Sequence, residues 1–179
     1  MPLTFITGNQ GKFEEVKSLI PDVQQIDLEL DEIQELDPQQ VIAHKLTQAL
    51  AHQPGPLIVE DTSLVVDDWN GLPGPLIKWF LKSVGNQGLW QMASGSGHTA
   101  ATAKTCIGYA DAQGNITFFE GEVKGRLAEP RGDRGFGWDN LFQPDGSDKT
   151  FAEMSLEEKN QFSMRQIAVL QLKTFLDRS

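Results

Sequence analysis

One cysteine, Cys106, is all the chain has. An intrachain disulfide is therefore impossible, and a CxxC redox or zinc site is excluded. Long apolar runs are missing too: none approaches the roughly 20 residues needed to span a bilayer. The opening Met-Pro-Leu-Thr-Phe-Ile-Thr-Gly-Asn has no basic segment followed by a long apolar one. No signal peptide is read there, and a cytoplasmic location is the expectation. Basic residues are scarce, 15 Lys and Arg against 25 Asp and Glu, for a formal net charge of -10. Nucleic acids and anionic membranes both recruit basic patches, so neither is an expected partner. An acidic chain can still take a small polyphosphate if a divalent cation bridges its carboxylates to phosphate oxygens. The cations touching such a ligand must then be few and focused. His44, His52 and His98 lack ligand spacing such as HExxH, and neither GxxxxGK[ST] nor a GxSxG elbow occurs. Ser94, Ser96 and His98 therefore make no nucleophile site. A metal-activated water fits the inventory better.

What is present reads as an α/β domain. A length of 179 residues suits one domain, or one domain of two lobes, and no linker divides it, so 1–179 is taken as a single domain. Leu3 to Thr7 reads as a short buried strand broken by Thr7-Gly8-Asn9. Gly11 to Ile20 reads as a helix with Phe13, Val16, Leu19 and Ile20 on one face, ended by Pro21. Val23 to Leu30 is a second strand, followed by an acidic loop over Asp31 to Asp37. Asp37 caps a helix with Pro38 at its first position, running to about His52 and burying Val41, Ala49 and either Ile42 or Leu46. Leu57-Ile58-Val59 is an apolar strand ending in Glu60-Asp61-Thr62, with Leu64 to Val66 extended beyond it. Gly71 to Pro75 is a tight loop. Leu76 to Val84 and Gly88 to Ala93 are two helices. Ala103 to Ala110 and Ile116 to Gly125 flank Asp111 to Asn115 as a hairpin, so the sheet is mixed. Arg131 to Lys149 is a long functional loop. Ser155 with Glu158, then Ser163 with Gln166, form two capping boxes, predicting a short helix and a longer one to about Asp177.

Four places could carry chemistry. The turn Thr7-Gly8-Asn9-Gln10-Gly11-Lys12 sits between strand and helix, where unpaired N–H groups, a permissive Gly8 and the Lys12 charge suit phosphate. It reads equally as any capped strand–helix turn. Glu60 and Asp61 close the most buried strand, and Glu32 lies in an acidic loop; magnesium asks for such oxygens, although adjacent acids at a strand end are often merely solvated. Gly135-Phe136-Gly137-Trp138-Asp139 offers stacking rings and an acceptor, or aromatics that plug the core. Lys159 and Arg165 sit near helix starts, where the dipole disfavours cations, which marks an anion or carbonyl site or simply surface charge. Cys106, in a predicted strand, is core.

Together and in order, these segments resemble the inosine triphosphate pyrophosphatases, which remove non-standard purine nucleotides. The resemblance rests on Thr7-Gly8-Asn9 with Lys12, Glu32-Ile33-Gln34, Val59 to Ser63, Gly71 to Pro75, Phe136 to Asp139, Thr150 to Met154 and Glu158-Lys159-Asn160, and covers nearly the whole chain. It implies a mixed twisted sheet flanked by helices, with two lobes around a deep central cleft, in a homodimer. It implies cleavage of inosine, deoxyinosine or xanthosine triphosphate between the α and β phosphates. By position, Thr7, Gly8, Asn9, Lys12 and Lys45 would hold the triphosphate. Glu32 and Asp61 would hold magnesium, or manganese in its place. Asp61, with Glu60 and Lys12, would serve catalysis, and Thr62 would lie beside the substrate. Phe136 would stack on the base, Gly137 and Trp138 would shape that wall, Asp139 would bond the purine, and Lys159 and Arg165 would meet the base edge. One departure stands out. The family pattern Ser-His-Arg is here Ser163-Met164-Arg165, and a thioether cannot donate to a 6-keto oxygen. A relaxed or shifted base preference is the expected consequence. A non-catalytic nucleotide binder is the remaining alternative.

Overall fold

The computed structural model describes residues 2–178. The chain begins with a parallel βαβ unit. Strand β1 (Thr4–Ile6) is buried throughout, helix α1 (Gln10–Leu19) follows, and β2 (Gln24–Ile26) returns beside β1 with Phe5 opposite Gln25. Helix α2 (Pro38–His52) starts where Asp37 accepts from the Gln39 N–H at 2.9 Å with Pro38 in the first turn, and it buries both Ile42 and Leu46. Strand β3 (Leu57–Val66) pairs parallel with β1, Phe5 opposite Ile58. Strand β4 (Pro73–Gly74) folds back antiparallel on β3, and helix α3 (Ile77–Ser96) follows. Strands β5 (Ala100–Ala110) and β6 (Ile116–Leu127) form the hairpin, and β7 (Phe142–Pro144) pairs antiparallel with β6. Helices α4 (Leu156–Asn160) and α5 (Met164–Leu176) end the fold. The sheet order is β2-β1-β3-β5-β6-β7, with β4 against β3. A mixed α/β sheet with helices is thus observed. Among the described residues, no helix is long and apolar enough to cross a membrane.

The chain divides into two compact units, each with its own core. Unit one comprises the residues up to Asp61, Thr105–Gly121 and the chain from Arg165 onward; unit two comprises Thr62–Lys104 and Glu122–Met164. In unit one, Phe5 and Ile58 pack with Phe13, Val16, Ala168 and Val169, while Leu57 and Val59 pack with Ile42, Leu46 and Ala49. In unit two, Leu64, Leu89, Trp138, Phe142 and Phe151 lie in one cluster.

Three expectations change. Strand β3 does not stop at its carboxylates but runs ten residues through Glu60, Asp61 and Thr62, because Glu60 and Asp61 each find cationic partners. Strand β2 ends at Ile26, four residues short of Leu30. The Arg131–Lys149 loop contains β7. The break expected between two helices is kept inside α3, where Gly85 is non-helical.

Candidate active site

Strand alternation sorts the acidic residues of β3. Successive side chains point to opposite faces. Ile58 faces α1 and α5, and Leu57 and Val59 face α2. Glu60 therefore shares the α1/α5 side with Ile58, and Asp61 shares the α2 side with Val59. The polar partners confirm this. Arg165 of α5 donates through its Nε to Glu60 Oε2 at 2.7 Å and through a terminal nitrogen to Oε1 at 2.8 Å. Its other terminal nitrogen bonds Glu15 of α1. Lys12, one turn before Glu15, lies 3.2 Å from Glu60 Oε1. On the opposite side, Lys45 of α2 donates to Glu32 Oε1 at 2.9 Å and lies 3.6 Å from Asp61 Oδ1.

The turn before α1 is tightly built. Asn9 caps the helix by accepting from the Lys12 N–H at 3.0 Å, and the Asn9 N–H donates to the Thr7 hydroxyl at 3.1 Å. Gly8 has the close approach read from sequence, and the atom that uses it here is Asp27 Oδ1, 2.6 Å from where a Cβ would stand.

Asp61 is the electrostatic outlier. Burial pushes its carboxyl above the ordinary range, against the pull of Lys45 and Lys12 and with a further push from Glu32 and Glu60. Its Oδ2 is buried with no hydrogen-bond partner. For Arg165, burial works against the charge, but Glu60 and Glu15 more than offset it and its pKa is raised.

This region fits a hard divalent cation. Glu32 and Asp61 already share one cationic partner, Lys45. The buried Asp61 Oδ2 lacks a donor, and Glu15, Glu32, Glu60 and Asp61 outnumber Lys12, Lys45 and Arg165 by one charge. Magnesium characteristically uses one or two carboxylates and takes its remaining oxygens from phosphate and water. Among the described residues, no group of three or more His, Cys, Asp or Glu could hold a metal by itself.

Unit two holds a different constellation. The Asp139 N–H donates to the Phe136 carbonyl at 3.1 Å, and Asp139 Oδ2 accepts from the Phe136 N–H at 3.0 Å, which ties the loop into a ring. Gly135 is obligatory: its φ is +75°, and a Cβ would stand 2.1 Å from Asp139 Oδ2. Lys159 bonds Asp139 Oδ2 at 2.7 Å, with both side chains buried. Its ammonium lies 4.9 Å from the Phe136 ring centre and 5.3 Å from that of Phe151. Phe136 keeps partial exposure, whereas Trp138 is buried, edge-on to Phe142 at 5.7 Å.

With this geometry in view, comparison with known proteins is decisive. The Ham1 family profile matches residues 3–175. This chain belongs to the Ham1 family. It is 41% identical to the inosine triphosphate pyrophosphatase of Schizosaccharomyces pombe, over 98% of this chain and 95% of that one. It is 36% identical to the dITP/XTP pyrophosphatase of Methanopyrus kandleri, over 92% and 90%. The Ham1 protein structure from Staphylococcus aureus superposes with a TM-score of 0.75 at 26% identity, covering 98% and 97%.

For this Ham1-family chain, the structure gathers Lys12, Lys45, Glu32, Glu60 and Asp61 in unit one, and Phe136, Gly137, Asp139 and Lys159 in unit two. Thr62 follows Asp61 on β3. Two of the sequence-assigned residues, Arg165 and Trp138, are buried. Arg165, expected at the base edge, is 1% exposed and bonds both Glu15 and Glu60. Trp138, expected as a wall of the base site, is a core ring. The residue that sequence reasoning missed is Glu15. Its signal was positional: it lies between Phe13 and Val16 on the apolar side of α1, where an unpaired acid is not tolerated. Cys106 is buried as expected, and burial pushes its thiol up to about 12, leaving it unreactive.

Proposed function

We propose that this chain hydrolyses inosine, deoxyinosine and xanthosine triphosphates to the monophosphate and pyrophosphate. The observation that carries the reading is Asp61, a half-buried carboxylate whose buried Oδ2 has no hydrogen-bond partner, beside Lys45 and Glu32. The substrate class follows the names of the S. pombe and M. kandleri relatives.

In hydrolysis, water's oxygen bonds to one phosphorus of the α–β anhydride and the bridging oxygen leaves with the other. Asp61 accepts the water's proton. Lys12 and Lys45 present ammonium charges to phosphate oxygens, and the Thr7 to Lys12 turn offers N–H groups at the start of α1. Glu60 acts through Lys12: held at both oxygens by Arg165, it fixes where that ammonium sits. Thr62 lies beside the substrate. Glu32 and Asp61 would hold magnesium, or manganese in its place, which neutralises phosphate charge and acidifies a bound water. Phe136 stacks on the base, Gly137 shapes that wall, and Asp139 with Lys159 bonds its polar edge.

A second reading keeps the chemistry and shifts the base. Met164, where the family pattern has histidine, is 1% exposed in the apolar cluster and offers no donor. A purely binding role is disfavoured, because a binder has no use for a carboxylate that activates water. By its resemblance, the protein is read as a homodimer, and light scattering of the purified protein checks this; the cytoplasm is its default location.

The test is pyrophosphate release across a panel of nucleoside triphosphates, with magnesium, with manganese and with chelator. Metal-dependent release from inosine or xanthosine triphosphate is expected. Release from none of them would refute the enzyme.

A further inference from the structure

Helix α3 is broken in an unusual way. Gly85 has φ 67° and ψ -179°, a backbone region essentially closed to every other residue. Glycine takes it without strain, and the residue after it makes a contact far along the chain. The Asn86 side-chain nitrogen donates to the Gly137 carbonyl at 3.0 Å, across 51 positions of chain. Gly137 is itself in the left-handed region, at φ 62°, between Phe136 and Trp138. The carbonyl accepts only from an N–H, so the amide orientation is fixed and Asn86 Oδ1 points the other way. That oxygen is buried with no hydrogen-bond partner.

As a device for stability this is a poor arrangement. One hydrogen bond is made, one acceptor is stranded, and the helix is interrupted to make it. The benefit lies in what the bond holds. The ring closed between Phe136 and Asp139 fixes the loop internally but does not orient it. The Ala152 N–H bond to the Asp139 carbonyl, at 3.0 Å, holds one flank. Asn86 holds the tip, from a helix.

We propose that Asn86 is a positioning residue for nucleobase binding: through the Gly137 carbonyl it fixes the loop that presents Phe136 and Asp139. Nothing in the family comparison assigns it a role. The proposal rests on the reading of Phe136 and Asp139 as the base site, and its test separates the two.

Asn86→Leu keeps the size and removes the donor. Amide exchange at Phe136 and Asp139 in the free protein should quicken about tenfold, and KM for inosine triphosphate should rise about tenfold, with kcat within twofold. Asn86→Gln, which keeps the amide, should recover part of both. If the leucine variant does not fold, Asn86→Ala carries the same measurements. A lowered melting temperature with unchanged exchange and unchanged KM would reduce Asn86 to a structural residue and overturn the proposal. So would a fall in kcat at constant KM. If the wild type releases no pyrophosphate, the base-site reading fails and the role in base binding falls with it; faster exchange at Phe136 and Asp139 would then show Asn86 to be an anchor of the loop alone, and unchanged exchange would remove that role too.

Discussion

The two units bury charge in opposite styles. Unit one sets Glu15, Glu60, Asp61, Lys12, Lys45 and Arg165 on α1, α2, β3 and α5, so periodicity sets the face each side chain takes and the packing of the elements sets its partner. Unit two sets a single pair, Asp139 and Lys159, on a glycine-punctuated loop and a five-residue helix among aromatic rings. Regular elements hold groups to fixed distances, which proton transfer and phosphate charge require. A loop with glycine joints presents ring faces and lone pairs, which base recognition requires. Buried ion pairs are weak sources of stability, and apolar residues of like volume often do as well. The two clusters are better explained by what they hold ready than by what they stabilise.

The largest effect should come from breaking the unit-one network at its hub. Arg165→Met leaves Glu15 and Glu60 without the guanidinium and should cost about 3–5 kcal/mol in urea unfolding. Changing Glu15 and Glu60 to Gln in the same protein should restore much of it. A loss below about 1 kcal/mol from the single change would mean that water relieves the stranded acids, and that the network is not a closed interior cluster.

Asp61→Asn should separate activity from stability. Removing the base should lower kcat by about a thousandfold, within the range general-base groups contribute. Stability should not fall with it. A carboxyl whose folded pKa lies above its unfolded value of 3.8 holds its proton more tightly when folded, so the metal-free fold loses stability as pH rises from about that value through the raised one. The ionised carboxylate is less favourable in the fold than in the unfolded chain. The asparagine variant, freed of that charge, should melt at or above the wild type in chelator. A clearly lower melting temperature would show Asp61 to be a structural partner of Lys45.

Much of unit one was legible in the sequence because its signals are local and periodic. Asp37-Pro38 announces α2, Thr7-Gly8-Asn9 announces the turn before α1, and the apolar run of β3 announces a buried strand with acids in line. The pairing of those acids was not legible, since it needs α5, more than 100 positions from β3. The ties of Arg165 to Glu15 and Glu60 were hidden for that reason. The division into two units was invisible for another. The chain crosses between them inside β3, β5 and β6 and at the start of α5, so no linker composition marks the boundary. In unit two the aromatics were found but not sorted. Phe136 and Trp138 lie two apart in an irregular loop, where no period says which ring faces inward.

That sorting gives the next test. Phe136→Leu should raise KM for inosine triphosphate about tenfold, as base stacking on an aromatic is worth about 1–3 kcal/mol. Its effect on unfolding should be small. Trp138→Leu should do the reverse, opening a cavity beside Phe142 and Phe151 and costing about 2–3 kcal/mol of stability with KM little changed in the protein that remains folded. If Trp138→Leu raised KM more than Phe136→Leu, the buried ring would be the base platform and the exposed one its cover.

The smallest effect is expected at Met164, and it decides the substrate. Met164 opens α5 and lies in the same cluster as Trp138, Phe151 and Met154. Met164→His places a polar ring among apolar neighbours and should cost about 1–2 kcal/mol of stability. It also adds a donor of the kind a 6-keto base prefers and a 6-amino base cannot use. The preference for inosine over adenosine triphosphate, read as the ratio of kcat/KM values, should rise about threefold to tenfold. A rise would mean that this protein works with one base contact fewer than the family pattern supplies, and that its own preference is correspondingly broad. An unchanged ratio would make position 164 a core site, leaving discrimination to Asp139, Lys159 and the loop that carries Phe136.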